Sequence, residues 1–259
     1  PFSYLQFKTF QRLPDSLDVR LVPILFAGLL NHWEQKGPAE IPRKRTDTYQ
    51  YCHWYAERHG IPFTTPPAHP FNPLKSLRLA IAQNTTHEVV DLIFNYIWGE
   101  GKDVHTEEGF HGLTLEANLP NANDLISSAS VKDVLRQNTE QAIALGIYGV
   151  PTFTINNTLF WGLDRTDMML DYLENPNVLT TSEMRRLSTL PIHDGESSPE
   201  AHELPACRNR SAHDILSAVA VPGKARLGRP VNRPAPIRGR PQGRFTQHHR
   251  MRELRQLLL

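Results

Sequence analysis

The sequence predicts an α/β fold in which a small sheet is interrupted by a long helical insertion. Three observations support this prediction: a strand-like run at residues 17–25, helical patterns over residues 37–145, and a hairpin-like stretch at residues 150–161. Because helices separate the strands along the chain, we expect them to pack against the sheet.

The first two predicted elements are a helix and a strand. Apolar side chains recur at helical spacing over residues 4–13, and Pro14 ends the pattern. Leu17, Val19 and Leu21 then alternate with polar or basic neighbours before the run becomes wholly apolar. This is typical of a strand that enters a core.

The insertion is predicted to be helical throughout. Tyr49, Cys52 and Ala56 share one helix face, and a second apolar segment covers residues 74–82. Residues 89–98 are apolar almost all round, so this segment is expected to be buried.

A capping box marks the start of the helix that ends the insertion. Ser130 is followed three residues later by Asp133, ahead of a periodic apolar run that reaches Leu145. A serine and an acidic residue at this spacing can satisfy the free N–H groups of a first helical turn, so Ser130 is the predicted cap.

The last structured part is predicted to be a hairpin and a helix. Asn156-Asn157 separates two strand-like runs and tolerates the positive φ angles of a tight turn, and a helix follows from Asp164 to about Leu173. Val150 precedes Pro151, which favours an extended Val150 whose backbone could pair with an incoming peptide. The order of elements is that of a thioredoxin fold with a helical insertion, lacking its first strand.

We therefore expect a thioredoxin-like fold whose first strand is truncated. The neighbouring strands would then expose unpaired backbone groups and lower the solubility of the chain. The predicted organisation has four segments: the first part of the thioredoxin-like domain, the helical insertion, the second part of that domain, and a Pro/Arg-rich tail that is expected to be disordered, at residues 1–36, 37–129, 130–190 and 191–259.

Composition favours a small-molecule partner. The chain has 28 basic and 27 acidic residues. Its net charge of +1 therefore gives no overall electrostatic potential that would attract nucleic acid. There is no apolar run long enough to span a bilayer and no signal-peptide pattern, which predicts a cytoplasmic protein without a membrane partner. Cys52 and Cys207 form neither a C-x-x-C pair nor a metal-ligand pattern, so we expect no dithiol chemistry and no metal.

The tail is the one locally cationic region. From Ile215 onward its only acidic residue is Glu253, while basic residues recur. This pattern suits either a polyanion-binding arm or a disordered extension without a role of its own, and the second interpretation is favoured.

Six motifs occur in the order found in one enzyme family: PFSYL at residue 1, KGPAEIPRKR at 36, HGIPF at 59, WGEG at 98, GVPT at 149 and WGLDR at 161. In this the chain resembles the 2-hydroxychromene-2-carboxylate isomerases, over about residues 1–190. That family is similar to kappa-class glutathione transferases and to the DsbA-like branch of the thioredoxin fold.

The resemblance implies a glutathione site. Pro151 would be the cis proline of the fold, and Val150 would bind the cysteinyl backbone of glutathione. Trp161, Gly162, Leu163 and Asp164 would line the γ-glutamyl end, with Asp164 accepting from its ammonium group. From the residues alone, Asp164 is equally suited to cap a helix, and Trp161 and Trp98 to pack in a core.

The resemblance also implies a catalytic serine immediately before Pro1, a position that precedes the printed sequence. A hydroxyl there would donate a hydrogen bond to the glutathione thiolate. Ser3 is the nearest substitute; it is also suited to capping or packing, which we favour.

The substrate contacts depart from the family pattern. Leu30 stands where the family has a substrate-binding lysine, with Asn31 and His32 beside it, and His69 lies near the position of a substrate-binding tyrosine. The carboxylate of an acid substrate could instead meet a basic side chain of the run that holds Lys36, Arg43, Lys44 and Arg45.

The predicted function is a glutathione-dependent isomerase of an unsaturated hydroxy or oxo acid, acting by reversible thiol addition. Two alternatives stay open: a kappa-like glutathione transferase, and a non-catalytic thioredoxin-fold binding protein. By analogy with the family, a homodimer is the expected assembly.

Overall fold

The computed structural model describes residues 1–15 and 17–191 and the backbone of residues 255–258. The helices are α1 (Phe2–Lys8), α2 (Phe26–His32), α3 (Pro42–His59), α4 (Leu74–Ala82), α5 (His87–Phe94), α6 (Glu107–Glu116), α7 (Ala122–Ser127), α8 (Ala129–Ala144), α9 (Thr166–Glu174) and α10 (Ser182–Leu187). The strands are β1 (Val19–Val22), β2 (Thr152–Ile155), β3 (Thr158–Trp161) and β4 (Arg255–Leu258). Within these ranges the structure has the predicted α/β order.

The four strands form one sheet in the order β1-β4-β2-β3. Strand β4 runs parallel to β1 and antiparallel to β2, and β2 pairs antiparallel with β3 in the hairpin. The C-terminal strand therefore lies inside the sheet, between two strands that come from the two ends of the helical insertion.

This arrangement corrects two expectations. The position between β1 and β2, predicted to be vacant because the first strand was expected to be truncated, is occupied by β4, so β1 and β2 are paired there. The tail was predicted to be disordered throughout, yet Arg255–Leu258 form a strand. The prediction depended on the average composition of residues 191–259, which conceals a short apolar run at the C-terminal end of the tail. The rest of that prediction, from residue 192 to residue 254, falls outside the described residues.

Two apolar clusters cover the two faces of the sheet. On one face, Phe7 of α1 and Met169 of α9 pack with sheet residues Leu21 and Phe153. On the other face, Leu29 of α2 and Ala142 of α8 pack with sheet residue Val22. Strands that are covered on both faces need apolar residues on both, which explains why the two buried residues of β1, Leu21 and Val22, are both apolar.

The helical insertion has a core of its own, joined to the sheet through α1. Tyr4 and Leu5 are fully buried within the insertion's cluster, beside Cys52 and Trp98. The next residue but one, Phe7, belongs to the sheet cluster. Because α1 is buried almost all round, it connects the two cores within the described residues.

The hairpin has the predicted form. Strands β2 and β3 pair in register from Thr152 and Trp161 to Ile155 and Thr158. Asn156 and Asn157 have φ angles of 51° and 61°, the left-handed conformation that asparagine tolerates.

The start of α8 differs from the prediction. The cap is Ser128, whose hydroxyl accepts a 3.4 Å hydrogen bond from the Val131 N–H, and the helix begins at Ala129. Ser130 is already inside the first turn. The sequence offers two serines two residues apart, and the extended backbone of Ser128, with ψ at 143°, decides which one caps the helix.

Residues 1–185 group with the C-terminal strand in one compact unit. Among the described residues, no helix is both long and apolar enough to cross a membrane. The boundaries predicted for the helical insertion stay predictions.

The capping assignment predicts a difference between two serine substitutions. Ser128→Ala should lower the free energy of unfolding by about 1 kcal/mol, because the Val131 N–H loses its acceptor. Ser130→Ala, which removes the same hydroxyl two residues later, should change it by less than about 0.5 kcal/mol. Urea unfolding of both variants measures this, and the reverse order would show that Ser130 is the cap.

Candidate functional site

The GVPT motif forms a bend that leads into β2. The Val150–Pro151 peptide bond is cis, as expected. The Thr152 hydroxyl donates a 2.7 Å hydrogen bond to the Gly149 carbonyl, and the Gly162 N–H donates to the Pro151 carbonyl at 2.9 Å. These two bonds hold the turn against the end of β3. Among the described residues, no hydrogen bond reaches the Val150 backbone.

Trp161 lies at the surface beside this turn. It is 44% exposed, so the expectation that it packs in a core is wrong. Its ring contacts Tyr148 edge-on, with centroids 5.1 Å apart. A Cβ on Gly149 would lie 2.2 Å from the indole Nε1, so the absence of a side chain there lets the indole lie over the backbone.

Asp164 presents a free carboxylate next to Trp161. Its side chain is 67% exposed, and the nearest cation is Arg165 Nε at 3.7 Å. The alternative that Asp164 caps a helix is wrong, because α9 begins at Thr166 and no side chain caps it. Gly162, with a φ of 94°, adopts a conformation that other residues rarely reach, and its missing Cβ leaves room for the carboxylate. Leu163 is buried in the insertion's core and anchors this turn.

Helices α1 and α3 lie next to Asp164. The Phe2 and Tyr51 rings contact each other with centroids 6.1 Å apart. Burial raises the pKa of the Tyr51 hydroxyl, and the negative charge of the nearby Asp164 raises it further. Ser3 is half-buried in the first turn of α1, and among the described residues its hydroxyl has no hydrogen-bond partner. The expectation that Ser3 caps α1 is wrong, since no side chain caps this helix.

His69 and Tyr49 form a hydrogen-bonded pair beside the insertion's core. Tyr49 Oη lies 2.7 Å from His69 Nδ1 and 3.0 Å from the His69 carbonyl oxygen. The hydroxyl has one proton, so both bonds form together when it donates to the carbonyl and Nδ1–H donates to it. This tautomer leaves His69 Nε2 as a free acceptor.

Burial lowers the pKa of His69 to about 4, so the ring is neutral near pH 7. The ring also meets Trp98 edge-on, with centroids 5.1 Å apart. Trp98 is buried and stacks on Phe63, which agrees with the expectation that it is a core aromatic. Burial also raises the pKa of the Cys52 thiol to about 11, so Cys52 is a poor nucleophile.

The other expected substrate residues lie elsewhere. Asn31 and His32 are exposed at the end of α2, and the structure does not bring them into contact with His69. Glu40 accepts a 2.6 Å hydrogen bond from the Gly37 N–H and closes its own loop. One residue of the basic run, Arg45, lies close enough to Tyr49 to affect its pKa. Burial raises the pKa of the Tyr49 hydroxyl, and the positive charge of Arg45 partly opposes that rise.

A separate cavity of about 410 Å³ runs along β1 and is lined by residues such as His87 and Asn138. None of the predicted site residues lines it. It is therefore distinct from the candidate site.

Sequence reasoning missed four residues of this site. These are Tyr49, Tyr51, Tyr148 and Thr152, which lie in a helix, a loop and a strand. Two of them carried a signal: Tyr49 shares a helix face with Cys52, and Thr152 is the last residue of the GVPT motif. The others reach the site through contacts between elements that are distant in the sequence.

Comparisons with known proteins found a matching family model and several relatives. Residues 1–174 match the family described as DSBA-like thioredoxin domain. The chain is 27% identical over 199 residues to glutathione S-transferase kappa 2 of Caenorhabditis elegans, a match that covers 68% of this chain and 88% of that protein.

A second relative is the 2-hydroxychromene-2-carboxylate isomerase of Sphingobium xenophagum, at 26% identity over 123 residues; the match covers 46% of this chain and 63% of that enzyme. A solved 2-hydroxychromene-2-carboxylate isomerase superposes with a TM-score of 0.59 at 22% identity, over 70% of this chain and 95% of that structure. This structural likeness supports the fold.

The His69 environment predicts acid sensitivity. The pKa of an unfolded histidine is about 6.5, so on acidification the unfolded chain takes up this proton before the folded chain does. The stability that neutral His69 contributes is therefore present above about pH 6.5 and is lost as the pH falls towards 4. Histidine NMR signals should include one that still moves near pH 4. It should vanish in His69→Gln and persist in His32→Gln; a His69 signal that moves near pH 6.5 would contradict the assignment.

Proposed function

Because this chain belongs to the family of DsbA-like thioredoxin domains, we propose that it is a glutathione-dependent isomerase of an unsaturated hydroxy or oxo acid, such as 2-hydroxychromene-2-carboxylate. The observation that supports this most is the placement of the Val150 backbone, which no hydrogen bond from the described residues reaches, next to the exposed side chains of Trp161 and Asp164. The sequence similarity to a kappa glutathione transferase and to 2-hydroxychromene-2-carboxylate isomerases supports glutathione as the thiol.

The residues at this turn fit a γ-glutamyl tripeptide. The Val150 backbone supplies one donor and one acceptor for an antiparallel bridge to a peptide. Asp164 supplies an exposed negative charge for an ammonium group, and its 3.7 Å contact with the exposed Arg165 guanidinium leaves the carboxylate accessible. The exposed Trp161 ring offers apolar area between the two.

Glutathione, when bound, would supply a thiol that adds reversibly to a conjugated double bond, so that the bond can rotate. The protein's own residues would position the thiol and the substrate and would polarise the groups that react. The Ser3 hydroxyl can donate a hydrogen bond to a thiolate, a role that the resemblance assigns to a serine immediately before Pro1. Cys52 is unsuited to replace that thiol, because burial raises its pKa to about 11.

The acid substrate would lie towards His69. The neutral ring offers Nε2 as an acceptor for a substrate hydroxyl, and the Tyr49 hydroxyl holds the ring in that tautomer. Arg45, whose charge acts on Tyr49, is the nearest candidate for the substrate carboxylate. Asn31 and His32 have no part in this arrangement, since the structure does not bring them into the cluster.

A second candidate function is glutathione transfer to an electrophile. One observation favours it: Leu30 stands where the isomerases have a substrate-binding lysine, whereas the thiol site needs no such cation. The longer match to the kappa transferase agrees with this alternative.

Product analysis separates the two functions. Incubation of the protein with glutathione and 2-hydroxychromene-2-carboxylate should give the isomeric acid, with all glutathione recovered. A stable conjugate would show a transferase instead. Absence of any turnover, with no binding of glutathione by calorimetry, would contradict both functions.

The role of Asp164 predicts a specific loss of affinity. Asp164→Asn should weaken glutathione binding by about tenfold, because a charge-assisted contact to the ammonium is worth about 1.5 kcal/mol or more. Asp171→Asn on α9 is the matched control and should bind normally. Titration calorimetry measures both dissociation constants, and equal affinity for the two variants would exclude Asp164 from the site.

The role of Ser3 predicts a change in the bound thiol. Ser3→Ala should raise the pKa of bound glutathione by about one unit and lower turnover in proportion to the lost thiolate, because a donor to the charged sulfur is removed. The ultraviolet absorbance of the thiolate against pH measures this. Ser130→Ala is the control, and an unchanged thiol pKa in Ser3→Ala would assign the role to another group.

A further inference from the structure

Strand β1 is an edge of the sheet, and its outer side is open. Within the described part of the chain it pairs with β4 alone, and no other hydrogen bond reaches the backbone of Val19–Val22. Successive residues of a strand direct their N–H and C=O groups to opposite sides, so alternate residues of β1 present both groups outward. A row of such unpaired groups is a template for a further strand.

The cavity of about 410 Å³ lies along this open edge, and we call it the edge slot. Its lining includes all of Val19–Val22 and the following Pro23. Four extended residues span about 13 Å, so the edge slot follows the whole length of β1. Val134 and Asn138 of α8 also line it, and the Asn138 amide donates a 3.0 Å hydrogen bond to the Pro23 carbonyl. This bond fixes α8 against the end of the strand.

The rest of the lining comes from the connection between α4 and α5, which is held in place by its own backbone. Asn84 and Thr85 have φ angles of 57° and 50°. The Asn84 N–H donates to the Ile81 carbonyl at 3.0 Å, and the Thr85 N–H donates to the Ala80 carbonyl at 2.8 Å. Paired bonds of this kind close the end of a helix in a defined turn. The edge slot therefore has a preformed wall opposite no mobile partner of its own.

The charge of the edge slot favours an anionic occupant. Among the described residues that line it, none is acidic and Arg20 is basic. Arg20 is exposed and forms no ion pair with another described residue. A residue directly opposite Arg20 in an added antiparallel strand would lie on the same side of the sheet, with its Cβ about 5 Å away. A carboxylate there would meet the guanidinium without competition from an acid of this chain.

We propose that the edge slot binds an extended acidic peptide segment of a partner protein, which adds to the sheet as an antiparallel strand beside β1. The peptide backbone pairs with the outward N–H and C=O groups of β1, and its carboxylate pairs with Arg20. A second copy of β1 is a poorer occupant, because its four residues bring another arginine and no acid. The inference does not depend on the proposed function, since none of the residues assigned to glutathione or substrate lines the edge slot.

A charge-swap binding experiment tests the contact with Arg20. The probe is a fluorescein-labelled peptide amide of sequence TVEVT, rich in strand-forming residues, and its anisotropy is measured with the full chain in the absence of glutathione. The TVQVT peptide should bind about tenfold more weakly than TVEVT. Arg20→Gln should weaken TVEVT by about tenfold and leave TVQVT unchanged, because the two changes remove the same contact.

The control for this experiment is Lys132→Gln, which removes a charge from an exposed residue of α8 that does not line the edge slot. It should bind both peptides as the unaltered chain does. Equal affinity of the unaltered chain for the two peptides, or no binding of either, would overturn the proposal. An equal loss in Arg20→Gln and Lys132→Gln would also overturn it, since the attraction would then be a general effect of surface charge.

A pair of tryptophan substitutions tests the location. Val134 is 40% exposed in the lining, so Val134→Trp should fill the edge slot and weaken TVEVT binding at least tenfold without disturbing the core. Gln137→Trp places the same side chain at an exposed position of α8 outside the lining and should leave binding unchanged. Circular dichroism confirms that both variants are folded. Unchanged affinity in Val134→Trp would exclude the edge slot as the site.

Amide exchange distinguishes an added strand from a simple anion site. At saturating TVEVT, exchange of the outward-facing amides of Val19–Val22 should slow at least about tenfold, because they become hydrogen-bonded. Binding without this protection would overturn strand addition. So would displacement of the probe by N-acetylglutamate amide at the same concentration as unlabelled TVEVT, since a carboxylate alone would then suffice. Glutathione takes no part in these measurements, so failure of the proposed function would not affect them.

Discussion

Backbone pairing of β4 with a strand on each side is the interaction on which the sheet depends. β1 and the β2-β3 hairpin are separated by more than a hundred residues that are mainly helical, and β4 is the strand that joins them. Both apolar clusters on the sheet include residues from its two sides, so they can form only once this joint exists. The cis-proline turn at Val150 is the direct continuation of β2, so its position also follows from this pairing.

Helix α1 connects the sheet to the helical insertion. Its side chains enter the insertion's core at Tyr4 and the sheet's core at Phe7, and the Thr166 hydroxyl donates a 3.1 Å hydrogen bond to Gln6 Oε1. The Tyr4 hydroxyl donates to the Pro62 carbonyl in the loop that leads to His69. The two halves of the candidate site, around Asp164 and around His69, are thus set by one short buried helix.

Several features were predictable because they depend on local sequence. The Asn156-Asn157 turn, the two strands beside it and the buried segment before Trp98 follow from turn preference and apolar periodicity. The cap of α8 could not be predicted in this way, because Ser128 and Ser130 are both serines that suit the N-terminal cap of a helix. Trp161 was misjudged in the same way: its composition suits a core, and only its position at the sheet's end leaves it exposed.

The sequence by itself determined the order of elements, the family and the cis-proline turn, since each depends on neighbouring residues or an ordered set of motifs. Only the three-dimensional structure shows which strand lies between β1 and β2, that burial keeps His69 neutral while Tyr49 fixes its tautomer, and that Asp164 does not cap a helix. These features depend on groups far apart in the chain. Their pairing is selected by burial and by the need to satisfy backbone hydrogen bonds, and neither is visible in local sequence.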